Sequence, residues 1–268
     1  MEKYPRSICV IGGSGFYSFL RNPAELTIPT PFSKTPVLLY RETYEDKILY
    51  FLPRHGGNHS IPPHKINFKA NIFALHLVGV SRVIATSAVG SLIPSLKVGN
   101  YVLIDQFIDF IRPITFFDGD FTLEFANGLK LSGVVHVDMT KPYCSEIRDT
   151  AYQVLKNDNT HYKGTYFTTM GPRFETSAEI KALQHLGATV VGMTNSSEAI
   201  LCREIGICYG VIAVVTNMAA GLQTIVNQQE VLDIFKSRLN HLNTAIPEII
   251  LKLPDSKSCS CETHILKT

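Results

Sequence analysis

Short apolar runs alternate with stretches whose apolar residues recur at helical spacing along most of the chain. The runs at residues 8–11, 48–52, 83–85, 101–104, 164–168, 189–191 and 208–215 predict strands. Several are apolar throughout, as expected of strands covered on both faces of a sheet. The 3.6-residue periodicity predicts helices over 66–77, 145–155, 176–186, 196–205 and 228–253. Thr176-x-x-Glu179 and Asn195-x-x-Glu198 read as N-terminal boxes, and Gly187 and Gly206 as the corresponding C-terminal stops. The pattern is that of an α/β chain with a mostly parallel or mixed sheet. No repeat, low-complexity segment or linker precedes about residue 254. One domain over 1–253 is therefore expected, followed by a polar C-terminal tail, 254–268.

Composition supports a large core. The chain has 268 residues, 45% hydrophobic and 18% charged, enough for one large domain without staples. Net charge is +2 with no run of like charges. A nucleic-acid footprint needs clustered Lys and Arg, so no nucleic-acid partner is expected, whereas a small anion needs only one or two placed arginines. No apolar stretch reaches the roughly eighteen residues of a membrane span, and the first residues carry no signal-peptide pattern. Cys9, Cys202 and Cys208 sit in apolar periodic segments and read as buried thiols, so a reducing, cytoplasmic setting is expected. Cys259-Ser260-Cys261 lies in the polar tail and reads as part of an unstructured terminus, the alternatives being a redox-active disulfide or a soft-metal pair.

Polar clusters follow the predicted strands. Ser14 follows the first, Arg54-His55 the second, Thr86-Ser87-Ala88 the third, and Thr194 and Asn217 the last two. In α/β sheets the ligand crevice lies at the carboxyl ends of strands, so these clusters are expected to converge. Gly12-Gly13-Ser14-Gly15 can wrap backbone N–H groups around a phosphate, yet it lacks both the P-loop and the GxGxxG spacing and reads equally as a tight turn. His55, His59 and His64 predict no metal, because the glycines and prolines between them break the spacing that would aim two rings together. Arg54 suits a phosphate clamp, since a guanidinium matches phosphate bidentately. Thr194 stands where a strand passes into a helix, with free N–H groups and the helix dipole attracting anions, and Ser87 adds a hydroxyl. Either could also be a simple cap. Phe174-Glu175 and Asn217 are the most specific group: an aromatic face, a carboxylate to accept from N1–H, and an amide to bridge N7 and O6 of a 6-oxopurine. Singly, Glu175 would be an ordinary acid near a helix start and Asn217 an ordinary turn residue.

Together these pieces resemble the trimeric purine nucleoside phosphorylase and methylthioadenosine phosphorylase family, from residue 8 to about 253. The blocks 54–75, 86–92, 171–179, 192–204 and 216–221 follow the family's order. The resemblance implies a single-domain sandwich of helices around a mixed, partly barrel-like sheet, assembled as a homotrimer with active sites at subunit interfaces. It implies reversible phosphorolysis, in which phosphate attacks C1′ of a purine nucleoside to give free base and a pentose 1-phosphate. Phosphate is then a co-substrate, and neither metal nor organic cofactor is expected. Ser14, Arg54, His55, Ser87 and Thr194 fall at the family's phosphate positions. Met193 falls under the ribose, Phe174 on the base, and Ala88 beside the nucleoside. His136 falls where a neighbouring subunit reaches the 5′ end, and Gln228 where the 5′ group is read. Asn217 and Glu175 carry the catalytic handling of the base. Cys259-x-Cys261 resembles a redox pair of some relatives.

Two matches separate subfamilies. Adenine-type members place a small hydroxyl residue at position 175 and aspartates at positions 217 and 219, where this chain has Glu175, Asn217 and Ala219. The expected substrates are therefore inosine and guanosine, although the chain as a whole resembles the methylthio-nucleoside branch more. Methylthioinosine or methylthioadenosine phosphorolysis is the alternative, and the polar Gln228 favours a 5′-hydroxyl over a methylthio group. Two other classes compete. A dinucleotide-dependent oxidoreductase would need an acid closing the second strand, but Glu25 lies in a Pro-interrupted stretch. A non-catalytic purine sensor could dispense with the phosphate set that this chain retains.

Overall fold

A computed structural model describes residues 7–13, 20–57, 60–111, 113–119, 121–125 and 128–262. Thirteen strands and five α-helices occur among them. The strands are β1 (Ser7–Gly12), β2 (Ala24–Thr30), β3 (Ser33–Tyr44), β4 (Lys47–Pro53), β5 (Arg82–Ser91), β6 (Tyr101–Leu103) and β7 (Gln106–Ile108), then β8 (Leu123–Glu124), β9 (Lys130–Leu131), β10 (Thr160–His161), β11 (Thr165–Thr168), β12 (Val190–Gly192) and β13 (Cys208–Met218). The helices are α1 (Phe68–Leu77), α2 (Ser145–Leu155), α3 (Ser177–His185), α4 (Asn195–Glu204) and α5 (Gln228–Lys252).

The main sheet runs β10-β6-β13-β5-β1-β4-β3-β2, and a limb of β12, β11 and β7 branches from the end of β5. Pairing is mixed. β1 lies parallel to β4 and β5, and β13 parallel to β5, whereas β12 meets β5 antiparallel through Gly90 and Ser91. The central strands read as unbroken apolar runs because both of their faces are covered. Cys9, Ile11, Val83 and Ala85 pack with α1 and α4 on one side, while Ile8, Val10, Ile84 and Ile212 pack with α2 and α5 on the other. Each fully buried Val or Ile side chain among them contributes about 1.5–3 kcal/mol. Helix α5 presents Leu239, Leu242, Ala245, Ile246, Ile249 and Ile250 to that second layer, the spacing of a single helical face.

All seven predicted strands and all five predicted helices are present, with ends shifted by a few residues. The β2–β3 hairpin was not anticipated. It forms the sheet edge, half-exposed, and Pro29 sits where the β2–β3 register shifts between Ile28 and Thr30, a position that tolerates a missing N–H. The Thr176–Glu179 capping box is present: Thr176 Oγ1 accepts from Glu179 N at 3.1 Å and Glu179 Oε2 from Thr176 N at 2.7 Å. The second expected box is not. Thr194, not Asn195, takes the N-cap of α4, without a side-chain cap bond, because Glu198 is committed elsewhere. The tail also departs from expectation over 254–262, which folds onto α2 and the start of β13 and leaves Cys261 only 5% exposed. Among the described residues no helix is long and apolar enough to cross a membrane.

Candidate active site

A cavity of about 630 Å³ opens where β1, β4, β12 and β13 end and β5 passes beneath. Arg54, His55, Ser87, Ala88, Phe174, Glu175, Met193, Thr194, Asn217 and Gln228 all line it. Ser14 lies outside the described residues, although the adjoining Gly13 is part of the lining. His136 is exposed and is not on the cavity wall of its own chain.

At the anion end, Arg54 is 3% exposed. Its Nε donates to Glu198 Oε1 at 2.5 Å, its Nη2 to Glu198 Oε2 at 2.8 Å, and its Nη1 to the Thr86 carbonyl at 2.9 Å. That fork uses three of the five guanidinium N–H groups and leaves two. Burial alone would lower the Arg54 pKa, but the Glu198 carboxylate overrides it and raises the value, so the guanidinium stays charged. Glu198 also accepts from the Tyr209 hydroxyl at 2.7 Å. Thr194 is buried at the N-terminus of α4, where unpaired N–H groups gather. Its own N–H donates to the Tyr166 hydroxyl at 3.2 Å, and the Ser87 hydroxyl donates to the Ala88 carbonyl at 3.4 Å. Burial raises the Tyr166 and Tyr209 pKa values, so both phenols remain protonated. Gly192 makes room for this arrangement, since a Cβ there would collide with the Tyr166 hydroxyl. His55 Nδ1 lies 2.8 Å from the Ile61 carbonyl and therefore carries the ring proton as donor.

At the flat end, the register of β13 against β5 shifts between Val215 and Asn217. The bulge at Thr216 re-aims the following side chain, as bulges beside sites commonly do. Asn217, 5% exposed, is held from both sides: Oδ1 accepts from Thr216 Oγ1 at 3.0 Å and Nδ2 donates to the Met218 carbonyl at 2.9 Å. One N–H and one lone pair of the amide remain. Gly90 lies against it, where a Cβ would come within 3.2 Å of Nδ2. Glu175 Oε1 accepts from Thr169 Oγ1 at 2.7 Å, which fixes the carboxylate and leaves Oε2 without a hydrogen-bond partner among the described residues. Phe174 adds an exposed ring on the same wall. Met193 stands between the two ends and packs on Gly171, whose φ of +66° and whose lack of a Cβ let Sδ approach to 2.5 Å of the ideal Cβ position. The remaining wall is one face of α5, where Gln228, Val231, Leu232 and Phe235 follow helical spacing.

Sequence reading did not find Glu198, Tyr166, Tyr209, Thr169 or Thr216. Glu198 carried a signal, but its i+3 spacing from Asn195 pointed to a box. The Arg54 partner lies 144 residues away, and no local pattern announces it.

The sequence profile of the phosphorylase superfamily matches residues 7–252. The chain is 44% identical over 261 residues to the 6-oxopurine nucleoside phosphorylase of Pyrococcus furiosus, covering 95% of this chain and 96% of that one. It is 38% identical over 274 residues to a probable S-methyl-5′-thioinosine phosphorylase of Thermodesulfovibrio yellowstonii, covering 99% and 98%. Among solved structures, the methylthioadenosine phosphorylase of Schistosoma mansoni in complex with tubercidin superposes with a TM-score of 0.84 at 28% identity, over 97% of this chain and 98% of that one.

Proposed function

The chain belongs to the phosphorylase superfamily, and we propose from that premise that it cleaves the N-glycosidic bond of 6-oxopurine nucleosides with phosphate. Inosine or guanosine gives the free base and ribose 1-phosphate, reversibly. The observation that carries this reading is that Glu175 and Asn217 share one cavity with Arg54, Ser87 and Thr194. A 6-oxopurine bears a hydrogen on N1, which Glu175 Oε2 can accept. Adenine bears a lone pair there and would face the carboxylate unpaired. The relatives named 6-oxopurine nucleoside phosphorylase at 42–44% identity agree with that base preference.

As the bond to C1′ breaks, the ribose gains oxocarbenium character and the purine gains negative charge. Phosphate held by Arg54, Ser87, Thr194 and the N-terminus of α4 is the nucleophile and stabilises the adjacent cation. Asn217 bonds N7 and O6 more strongly as charge builds on the base, and only that increment accelerates the step. The reaction so written needs no metal or organic cofactor. His55 and Ser14 complete the phosphate set in this reading, Met193 and Ala88 support the sugar, and Phe174 stacks on the base. The chain works as a homotrimer in the cytoplasm, in purine salvage, with His136 reaching the neighbouring subunit's 5′ site.

A second reading concerns the 5′ group. Val231, Leu232 and Phe235 make an apolar wall on α5, which suits a methylthio group, whereas Gln228 on the same face suits a hydroxyl. Methylthioinosine is thus a competing substrate with the same base.

The test is hypoxanthine release from inosine with and without phosphate. Release should require phosphate and yield ribose 1-phosphate in equal amount. Asn217→Ala should lower turnover by about 10²-fold or more, the scale of losing one positioned donor. Phosphate-independent release, or near-wild-type turnover of the variant, would overturn the assignment.

A further inference from the structure

Four cysteines outside the active site converge on one point. Cys144 precedes α2, Cys208 opens β13, and Cys259 and Cys261 come from the folded tail, with all four Sγ atoms within 4.8 Å of one another. All are free thiols, and Cys208 Sγ lies 3.4 Å from Cys259 Sγ. Four thiolates around a tetrahedral zinc, with Zn–S near 2.3 Å, stand about 3.8 Å apart edge to edge, which is the scale of this cluster. Cys144, Cys208 and Cys261 are buried and Cys259 is half-buried, so the point of convergence is shielded from water.

The surroundings are built to hold the sulfurs there. Glu146 Oε1 accepts from Cys259 N at 2.9 Å and from the Ser258 hydroxyl at 2.7 Å, and it also takes the Ser258 N–H. Asp255 pairs with the buried Lys47 at 3.3 Å, and the Ser256 carbonyl accepts from Arg82. Cys144 N donates to the Tyr209 carbonyl at 2.8 Å, tying the start of α2 to β13. Buried Arg82 stands opposite Cys208 in the β5–β13 ladder and pairs with Glu146 at 3.2 Å, which ties β5 to the carboxylate that holds the tail.

We propose that Cys144, Cys208, Cys259 and Cys261 form a structural site for one zinc ion that fastens the tail to α2 and β13. Binding converts four thiols and one divalent ion into a tetrathiolate complex and releases four protons. The site is closed, with four protein ligands and no open position for substrate, so its work is folding and not catalysis. It takes a soft-ligand tetrahedral ion in preference to magnesium or calcium.

The decisive experiment titrates cobalt(II) and then zinc into the reduced, chelator-treated full chain. Intense visible bands of tetrahedral thiolate-bound cobalt should saturate at one equivalent and be displaced by zinc. Protein purified without chelator should carry one zinc per chain by elemental analysis. Cys259→Ser and Cys261→Ser, in the folded tail and outside the active-site cavity, should weaken cobalt binding at least about tenfold and lower Tm, with inosine kcat unchanged. The proposal is overturned by absence of the tetrahedral bands in folded wild type. It is equally overturned if the purified chain carries two disulfides among these cysteines, read as a mass four hydrogens lighter and resistance to alkylation.

Discussion

At the scale of single residues, the site turns on how buried polar groups are paired. Arg54 and Glu198 form a bidentate pair with both side chains under 5% exposed. Such a pair sets orientation more than it adds stability, because desolvation offsets the Coulombic gain. It also cancels charge, so in the proposed reading phosphate would be held mainly by hydrogen bonds from the two remaining Arg54 N–H groups, the hydroxyls and the α4 N-terminus. Glu198→Gln keeps the volume and one acceptor but leaves the guanidinium without a buried counter-charge. That variant should be less stable by about 3–5 kcal/mol, and phosphate should recover part of the loss by supplying the missing anion. Thermal melts across a phosphate series will show a larger phosphate-dependent rise in Tm for Glu198→Gln than for wild type. An equal or smaller rise would contradict this account of the pair.

At the scale of elements, α4 carries opposite electrostatics at its two ends. Its N-cap, Thr194, lines the cavity, and its last residue, Glu204, sits at the negative end of the helix dipole. Glu204 is 5% exposed and accepts from Phe116 N at 2.7 Å and Thr115 Oγ1 at 2.5 Å. Burial outweighs these bonds and pushes its pKa up to about 7. The folded value exceeds the unfolded one, so the stability linked to its proton is fully present below the unfolded pKa and is lost as pH rises through about 7. From pH 5 to 8, urea unfolding should show wild type losing on the order of 3 kcal/mol relative to Glu204→Gln. Parallel pH profiles would contradict it. The strands and helices that frame this site were legible because fully covered strands leave continuous apolar runs and helices leave a 3.6-residue period. The β2–β3 hairpin was not, since Pro29 and Pro36 break the pattern and its residues are half-exposed. Arg54, Glu175 and Asn217 were visible as residue types at strand ends. The bulge at Thr216 that aims Asn217, and the Thr169 hydroxyl that fixes Glu175, arise from tertiary pairing and leave no local mark.

At the scale of the molecule, one chain presents several large apolar side chains to solvent. Phe110, Val134 and Ile225 are 78%, 79% and 73% exposed, and covering them with a partner subunit would remove apolar surface from water. His136, two residues from Val134, lies off its own cavity. In a trimer that shares sites across interfaces, inactive His136→Ala and Asn217→Ala subunits mixed after reversible dissociation should regain activity, because some mixed sites contain both native residues. No recovery in mixed trimers verified by mass would contradict the shared site. The central claim, that Glu175 and Asn217 select a 6-oxopurine, is tested most directly by kcat/KM for inosine and adenosine at saturating phosphate. A site whose buried polar groups are left unpaired by the wrong base should favour inosine by at least about 10²-fold. Equal values, or a preference for adenosine, would contradict it.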